Sequence, residues 1–299
     1  MISPSSSSPL LAISGDNLFR LCPNDLVQAP VIAKMLWNWG IEAIIVIQRG
    51  DPWADGLYNI LEKEYPKLGG KILARVRYAA EVTEFSSYLE RMEEIARDAV
   101  EEYGKEHVAI QCFSFSEIVT IVTQAKDYPT IYNLMWFGSD GTAFTQQLID
   151  DAPEQADKLK ILSTLAAPIP SSKYFDLYER YYELTNTPLS YYTAALYDIA
   201  WIYALSIIEA ASTETDAIRQ ILPYVAENYF GVTGWCKLDV NGDRETSNYD
   251  IWGYAIIDGK CYNVKYGIYD SLKDTITWYD VAITPEGLET KGLTPPGHS

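Results

Sequence analysis

A lone carboxylate between two glycines closes an apolar run: Gly138-Ser139-Asp140-Gly141 follows Ile131-Tyr132-Asn133-Leu134-Met135-Trp136-Phe137. In open α/β sheets, ligands are held beyond the carboxyl ends of strands, and glycine lets a backbone approach what is held. Asp140 in that place is suited to a ligand cation. The same four residues also suit an ordinary strand-to-helix turn, with Asp140 capping a helix that begins near Thr142. Both readings make residues 131–137 a buried strand.

Other chemistry-bearing patterns lead away from catalysis. The sequence has no Ser-His-Asp or Cys-His arrangement, no phosphate-binding loop and no GxGxxG after a strand. Asp51 and Asp55 resemble an acid–base pair, but they sit at a helix start, where capping and the helix dipole explain them. The chain is therefore expected not to be an enzyme. Only His107 and His298 are available, and Cys22, Cys112, Cys236 and Cys261 show no CxxC spacing, which excludes a His/Cys metal site and implies no cofactor. Asp239-Val240-Asn241-Gly242-Asp243 mimics the start of a calcium loop. Arg244 stands where that loop needs glycine, and Asp250 where a bidentate glutamate is usual, so a hairpin turn is expected. Cys112 reads as a small core residue, whereas Cys236 and Cys261 flank a β-hairpin region and would be able to pair in an oxidising compartment.

Charge narrows the partners. There are 23 basic residues against 41 acidic, a net charge of −18, which repels nucleic acid and anionic membrane. No segment reads as a run of about 20 apolar residues able to span a bilayer. The start, Met1 to Pro9, has neither a basic nor an apolar region and is not a signal peptide.

The elements that must position Asp140 follow from periodicity. Helices are expected over 26–39, 52–64, 84–102 and 117–125, and strands over 43–47, 71–76, 108–112 and 131–137. Four short apolar strands separated by helices make a parallel sheet covered on both faces. After about residue 165, helices dominate (172–184, 190–211, and 214–229 with Pro223 as a kink). Beyond Gly231 the signals turn to β, with strands over 249–257 and 262–269.

Six segments then carry a family likeness, in order. They are Met1-Ile2-Ser3-Pro4 with Ser5-Ser6-Ser7-Ser8-Pro9; Phe19-Arg20 with Pro23-Asn24-Asp25; Asp51-Pro52-Trp53-Ala54-Asp55-Gly56; Gly138-Ser139-Asp140-Gly141; Leu196-Tyr197-Asp198-Ile199-Ala200; and Gly231-Val232-Thr233-Gly234 through Asp243. The chain resembles type I periplasmic binding proteins of the leucine/isoleucine/valine-binding branch, the substrate-binding proteins of ABC transporters. The resemblance implies an α/β fold of two lobes, each a parallel sheet flanked by helices. The first lobe is incomplete, because family members begin with strand–helix pairs ahead of the Ser-rich loop. On this basis residues 1–24 are a remnant of the N-terminal lobe and 25–163 the C-terminal lobe. Residues 164–247 return to the N-terminal lobe, and 248–299 cross back.

The same resemblance implies a pocket for a zwitterionic amino acid or a related small molecule. Ser7 would offer its hydroxyl to the ligand carboxylate, Ser5 its backbone carbonyl to the ammonium, and Asp140 the counter-charge, where the family often carries glutamate. Trp53 aligns with a family aromatic that lines the opposite lobe. Phe113 and Phe115 follow the strand ending at Cys112, and only one of them can comfortably face the cleft; core packing and a plain polar loop are the competing roles for the aromatics and for Ser5 and Ser7. Closure about a hinge, a permease partner and an extracytoplasmic location are implied as well. A ligand-sensing ectodomain or regulatory subunit would use the same fold. An incomplete lobe, finally, suggests association between copies and the possibility of a chain that binds nothing.

Overall fold

The computed structural model describes residues 1–245 and 247–297. Two compact units make up the chain: Met1–Val27 with Ala166–Asn248, and Gln28–Leu165 with Tyr249–Ser299.

The chain opens with β1 (Ile2–Ser3) and β2 (Phe19–Arg20), paired in parallel with Ile2 opposite Phe19. Asn24 then caps α1 (Asp25–Asn38), its Oδ1 accepting from Leu26 N at 2.9 Å. Next come β3 (Ala43–Arg49), α2 (Pro52–Glu64), β4 (Lys71–Tyr78), α3 (Ser86–Tyr103), β5 (Val108–Phe113), α4 (Ile118–Ala125) and β6 (Met135–Phe137). The strands β3 to β6 form one parallel sheet in the order β4-β3-β5-β6. Within it β3 is apolar from Ala43 to Ile47, where both faces are covered, and turns polar only at Gln48 and Arg49. Ile44 and Val46 pack with Ile32, Leu36 and Leu57, while Ile45 and Ile47 pack with Leu89, Met92 and Ile121.

Beyond β6 lie α5 (Gln146–Asp151), α6 (Pro153–Leu159), β7 (Ser163–Ala167), α7 (Ser172–Thr185), α8 (Tyr191–Ala210), α9 (Thr215–Glu227) and the small hairpin β8 (Phe230–Gly231) with β9 (Gly234–Trp235). The chain ends in β10 (Asn248–Ile257), β11 (Lys260–Asp270), β12 (Thr275–Ile283) and β13 (Glu289–Lys291), which extend β7 into a five-stranded sheet ordered β13-β12-β11-β10-β7.

Three sequence expectations need correction. Residues 131–137 are not one strand: Ile131–Asn133 is a 3₁₀ turn, and the indole N–H of Trp136 donates to Ile131 O at 2.9 Å, so only Met135–Phe137 pairs with β5. Cys236 and Cys261 are both buried and form no disulfide. Tyr191–Ala210, contrary to the expectation that no segment is apolar enough, is by length and composition able to cross a membrane. Asp198 in its middle is fully buried and bonded within its own unit, accepting from Val232 N at 2.8 Å and Thr233 N at 2.9 Å.

Candidate functional site

The loop after β6 is shaped by what its glycines leave out. Gly138 donates its N–H to Leu162 O at 2.8 Å and accepts from Gln111 Nε2 at 3.1 Å. A Cβ there would collide with Thr142 Oγ1 and Ser163 Oγ. Those two hydroxyls meet at 2.8 Å, and Thr142 Oγ1 also bonds Ser139 N at 3.1 Å and Ser139 O at 3.0 Å. The Thr142 hydroxyl thus closes the loop on itself. For that reason the helix expected near Thr142 begins only at Gln146, and Asp140 does not cap it.

Asp140 is half-buried, and its Oδ1 accepts from Gln28 Nε2 at 3.2 Å. Gln28 is 2% exposed and also reaches Thr164 Oγ1 at 3.0 Å. The neighbouring Ser139 Oγ is buried and has no hydrogen-bond partner among the described residues.

Beside Asp140, Gly141 seats an aromatic pair. A Cβ on Gly141 would collide with the Ser114 carbonyl and lie 2.7 Å from the Trp53 ring and 3.0 Å from that of Phe115. The two rings stack at 4.3 Å between centroids with 18° between planes. Trp53 is delivered by the first turn of α2, fixed by Asp51, whose side chain accepts from Ala54 N at 2.9 Å. Phe115 follows the end of β5 and is 40% exposed, whereas Phe113 is fully buried in the core with Ile44 and Val46. Of these two phenylalanines, then, only Phe115 is open to a ligand.

Arg49 stands at the edge of this wall, its guanidinium 5.5 Å from the Phe115 centroid. Burial pulls its pKa down, but bonds and charge from Glu117 (3.1 Å) and Asp51 (2.7 Å) outweigh that and hold it above its ordinary value. The cation is neutralised locally, so the wall favours an apolar group over an anion. Taken together, a half-buried carboxylate beside an accessible aromatic face is equipped to take an ammonium carried on an apolar body.

The other two expected residues lie in the first unit. Ser5 is exposed, and its N–H reaches Ser3 Oγ at 3.4 Å. Ser7 is 5% exposed; its carbonyl accepts from Asp25 N at 2.9 Å, and its hydroxyl has no partner among the described residues. A buried hydroxyl of this kind costs free energy unless something bonds it. Trp53, Phe115 and Asp140 are therefore brought together on one unit, with Ser5 and Ser7 on the other. Gln28 and Thr164 escaped the sequence reading. The only available signal was a glutamine among the apolar residues of α1.

A family model described as the receptor family ligand binding region matches residues 1–256. The chain belongs to this family. Among solved structures, this binding region is similar to the leucine-binding protein LivK of Thermotoga maritima, with a TM-score of 0.75 at 20% identity, covering 91% of this chain and 73% of that one. It is also similar to the branched-chain amino acid transporter binding protein LivJ of Streptococcus pneumoniae in complex with isoleucine, with a TM-score of 0.69 at 21% identity, covering 88% and 72%. The fold is that of the type I periplasmic binding proteins, and the solved neighbours are solute-binding proteins. An uncharacterized protein of Methanocaldococcus jannaschii is 25% identical over 296 residues, covering 93% of this chain and 69% of its own.

Proposed function

We propose that this chain is the solute-binding component of an ABC transporter, capturing an amino acid with an apolar or aromatic side chain, or a closely related small molecule. The observation that carries the reading is Asp140 beside the stacked Trp53–Phe115 pair, with the nearby Arg49 already neutralised. Asp140 takes the ammonium, the aromatic face takes the side chain, and the orphan Ser7 hydroxyl takes the carboxylate. Capture takes place outside the cytoplasm, for delivery to a permease. Isothermal titration with the twenty amino acids and with benzoate tests this. Saturable heat from apolar or aromatic amino acids supports it; heat from benzoate alone overturns it. A ligand-sensing ectodomain of the same fold would bind identically, and gene neighbours coding for permease and ATPase subunits separate the two.

A second reading has its own observation. Along α8, Tyr197, Trp201, Leu205 and Ile208 are 38%, 47%, 36% and 73% exposed at helical spacing. This stripe favours association of two copies through the first unit. Light scattering behind size exclusion distinguishes a dimer, disrupted by Trp201→Glu, from a monomer.

A further inference from the structure

The loop that presents Ser7 has its backbone held from several sides. Arg20 Nη1 donates to Ser6 O at 2.9 Å and to Ser8 O at 2.7 Å, while Asp25 N–H donates to Ser7 O at 2.9 Å. The Cys22 thiol donates to Ser6 O at 3.4 Å. Arg20 is fully buried. Its Nε and Nη2 make a bidentate pair with Asp243, which takes a further bond from Asn24 Nδ2 at 3.1 Å. Asp243 is itself fixed, because its N–H donates to Asp239 Oδ1 at 3.0 Å and its carbonyl accepts from Asp239 N at 2.7 Å.

A buried guanidinium is tolerated when its planar fork is used on both edges. Here one edge serves the ion pair, and Nη1 serves the carbonyls that bracket Ser7. Within the loop, the Ser3 hydroxyl donates to Ser6 Oγ at 2.8 Å. The Ser7 hydroxyl alone is buried with no partner among the described residues. The backbone is thus held on both sides of a buried hydroxyl that no described residue bonds.

We propose that Arg20 is a positioning residue for ligand binding: anchored by Asp243, its guanidinium holds the Ser6 and Ser8 carbonyls so that the Ser7 hydroxyl is preset for a ligand carboxylate. This rests on the amino-acid reading above for the identity of the ligand group, but not for the brace itself. Lysine keeps the charge and loses the fork. Arg20 would act only through Ser7, so its effect must disappear when Ser7 is already gone.

The test uses Arg20→Lys, Asp243→Asn, Ser7→Ala and the Arg20→Lys/Ser7→Ala double variant, with leucine and its carboxylate-free counterpart isoamylamine as probes. Arg20→Lys, Asp243→Asn and Ser7→Ala are each expected to weaken leucine about 10-fold or more, the scale of a charge-assisted hydrogen bond. Isoamylamine affinity should not change, and the double variant should be no weaker than the single ones. Additive losses, or equal losses for the amine, overturn the proposal, since a merely structural arginine would give them. Hydrogen exchange without ligand decides the brace separately. In Arg20→Lys, the amides of residues 5–11 should exchange faster while α9 keeps its protection. Unchanged exchange in the loop, or a rise throughout the first unit, overturns the brace. If the wild type binds neither probe while the exchange result holds, the amino-acid reading fails and the brace stands.

Discussion

Gln28 donates its side-chain amide to Asp140 Oδ1 at 3.2 Å across 112 residues of sequence, within one unit of the fold. Gln28 is a neutral donor, so this bond orients the carboxylate without adding a positive charge to it. Gln28→Leu should therefore weaken a cationic ligand about 5- to 20-fold while costing the fold about 1 kcal/mol, the net value of a hydrogen bond. Titration calorimetry beside urea unfolding separates the two effects. A loss of stability without loss of affinity would show that Gln28 serves only the packing of α1.

Gly141 should tolerate no side chain. The Cβ of Gly141→Ala meets a backbone carbonyl, Ser114 O, which cannot rotate away, and it pushes on both stacked rings. Overpacking of this kind costs about 1–3 kcal/mol. Indole fluorescence should shift as Trp53 is displaced from Phe115, and the thermal midpoint should fall by a few degrees. A variant with wild-type fluorescence and midpoint would contradict the close seating of the pair.

Acid should weaken the second unit through Asp55. Arg77 donates to both of its carboxylate oxygens, at 2.9 and 3.0 Å, and Arg75 to one of them. The Arg77 hydrogen bond, against the opposing effect of burial, holds the Asp55 carboxyl below its ordinary 3.8. A depressed folded-state pKa gives stability that is present above the unfolded value and lost as pH falls through the folded one. Asp55→Asn should thus be less stable than wild type near neutrality, and the gap in thermal midpoint should close as pH drops from about 5 towards 2.5. A gap independent of pH would contradict this.

All four cysteines should resist alkylation in the folded protein. Each is buried, and burial pushes the thiols of Cys112 up to about 12 and of Cys236 and Cys261 up to about 11, so thiolate is scarce at neutral pH. Mass spectrometry after iodoacetamide should show no adduct on the native chain and 4 after denaturation. Two missing adducts on the denatured, unreduced chain would reveal a disulfide instead.

What the sequence disclosed follows from which forces are local. The start of α2 is legible because Asp51 and Pro52 mark it in the chain itself, and β3 because the run Ala43–Ile47 is apolar, as a strand covered on both faces must be. Of the two short helices, α5 was placed too early and α6 was not anticipated, nor were the strands β7, β12 and β13. The two helices are too short to show a period, and the edge strand β13 has only three residues. In the candidate site, Asp140 and Trp53 stood out by type and by neighbouring glycine or proline. Gln28 did not, because its role comes from a contact between distant segments. Between Phe113 and Phe115, no local rule decides which ring is buried; the strand's pairing with β3 decides it.

The central claim, that Asp140 receives the ammonium of an amino acid, is tested most directly by thermal shift on the wild type and Asp140→Ala. A ligand at a hundredfold excess over Kd adds about 2.7 kcal/mol to stability. The account predicts a rise of several degrees for apolar or aromatic amino acids with the wild type, and none with Asp140→Ala, both proteins being folded by circular dichroism. An equal rise in the two proteins, or no rise with any amino acid in a folded wild type, would contradict it.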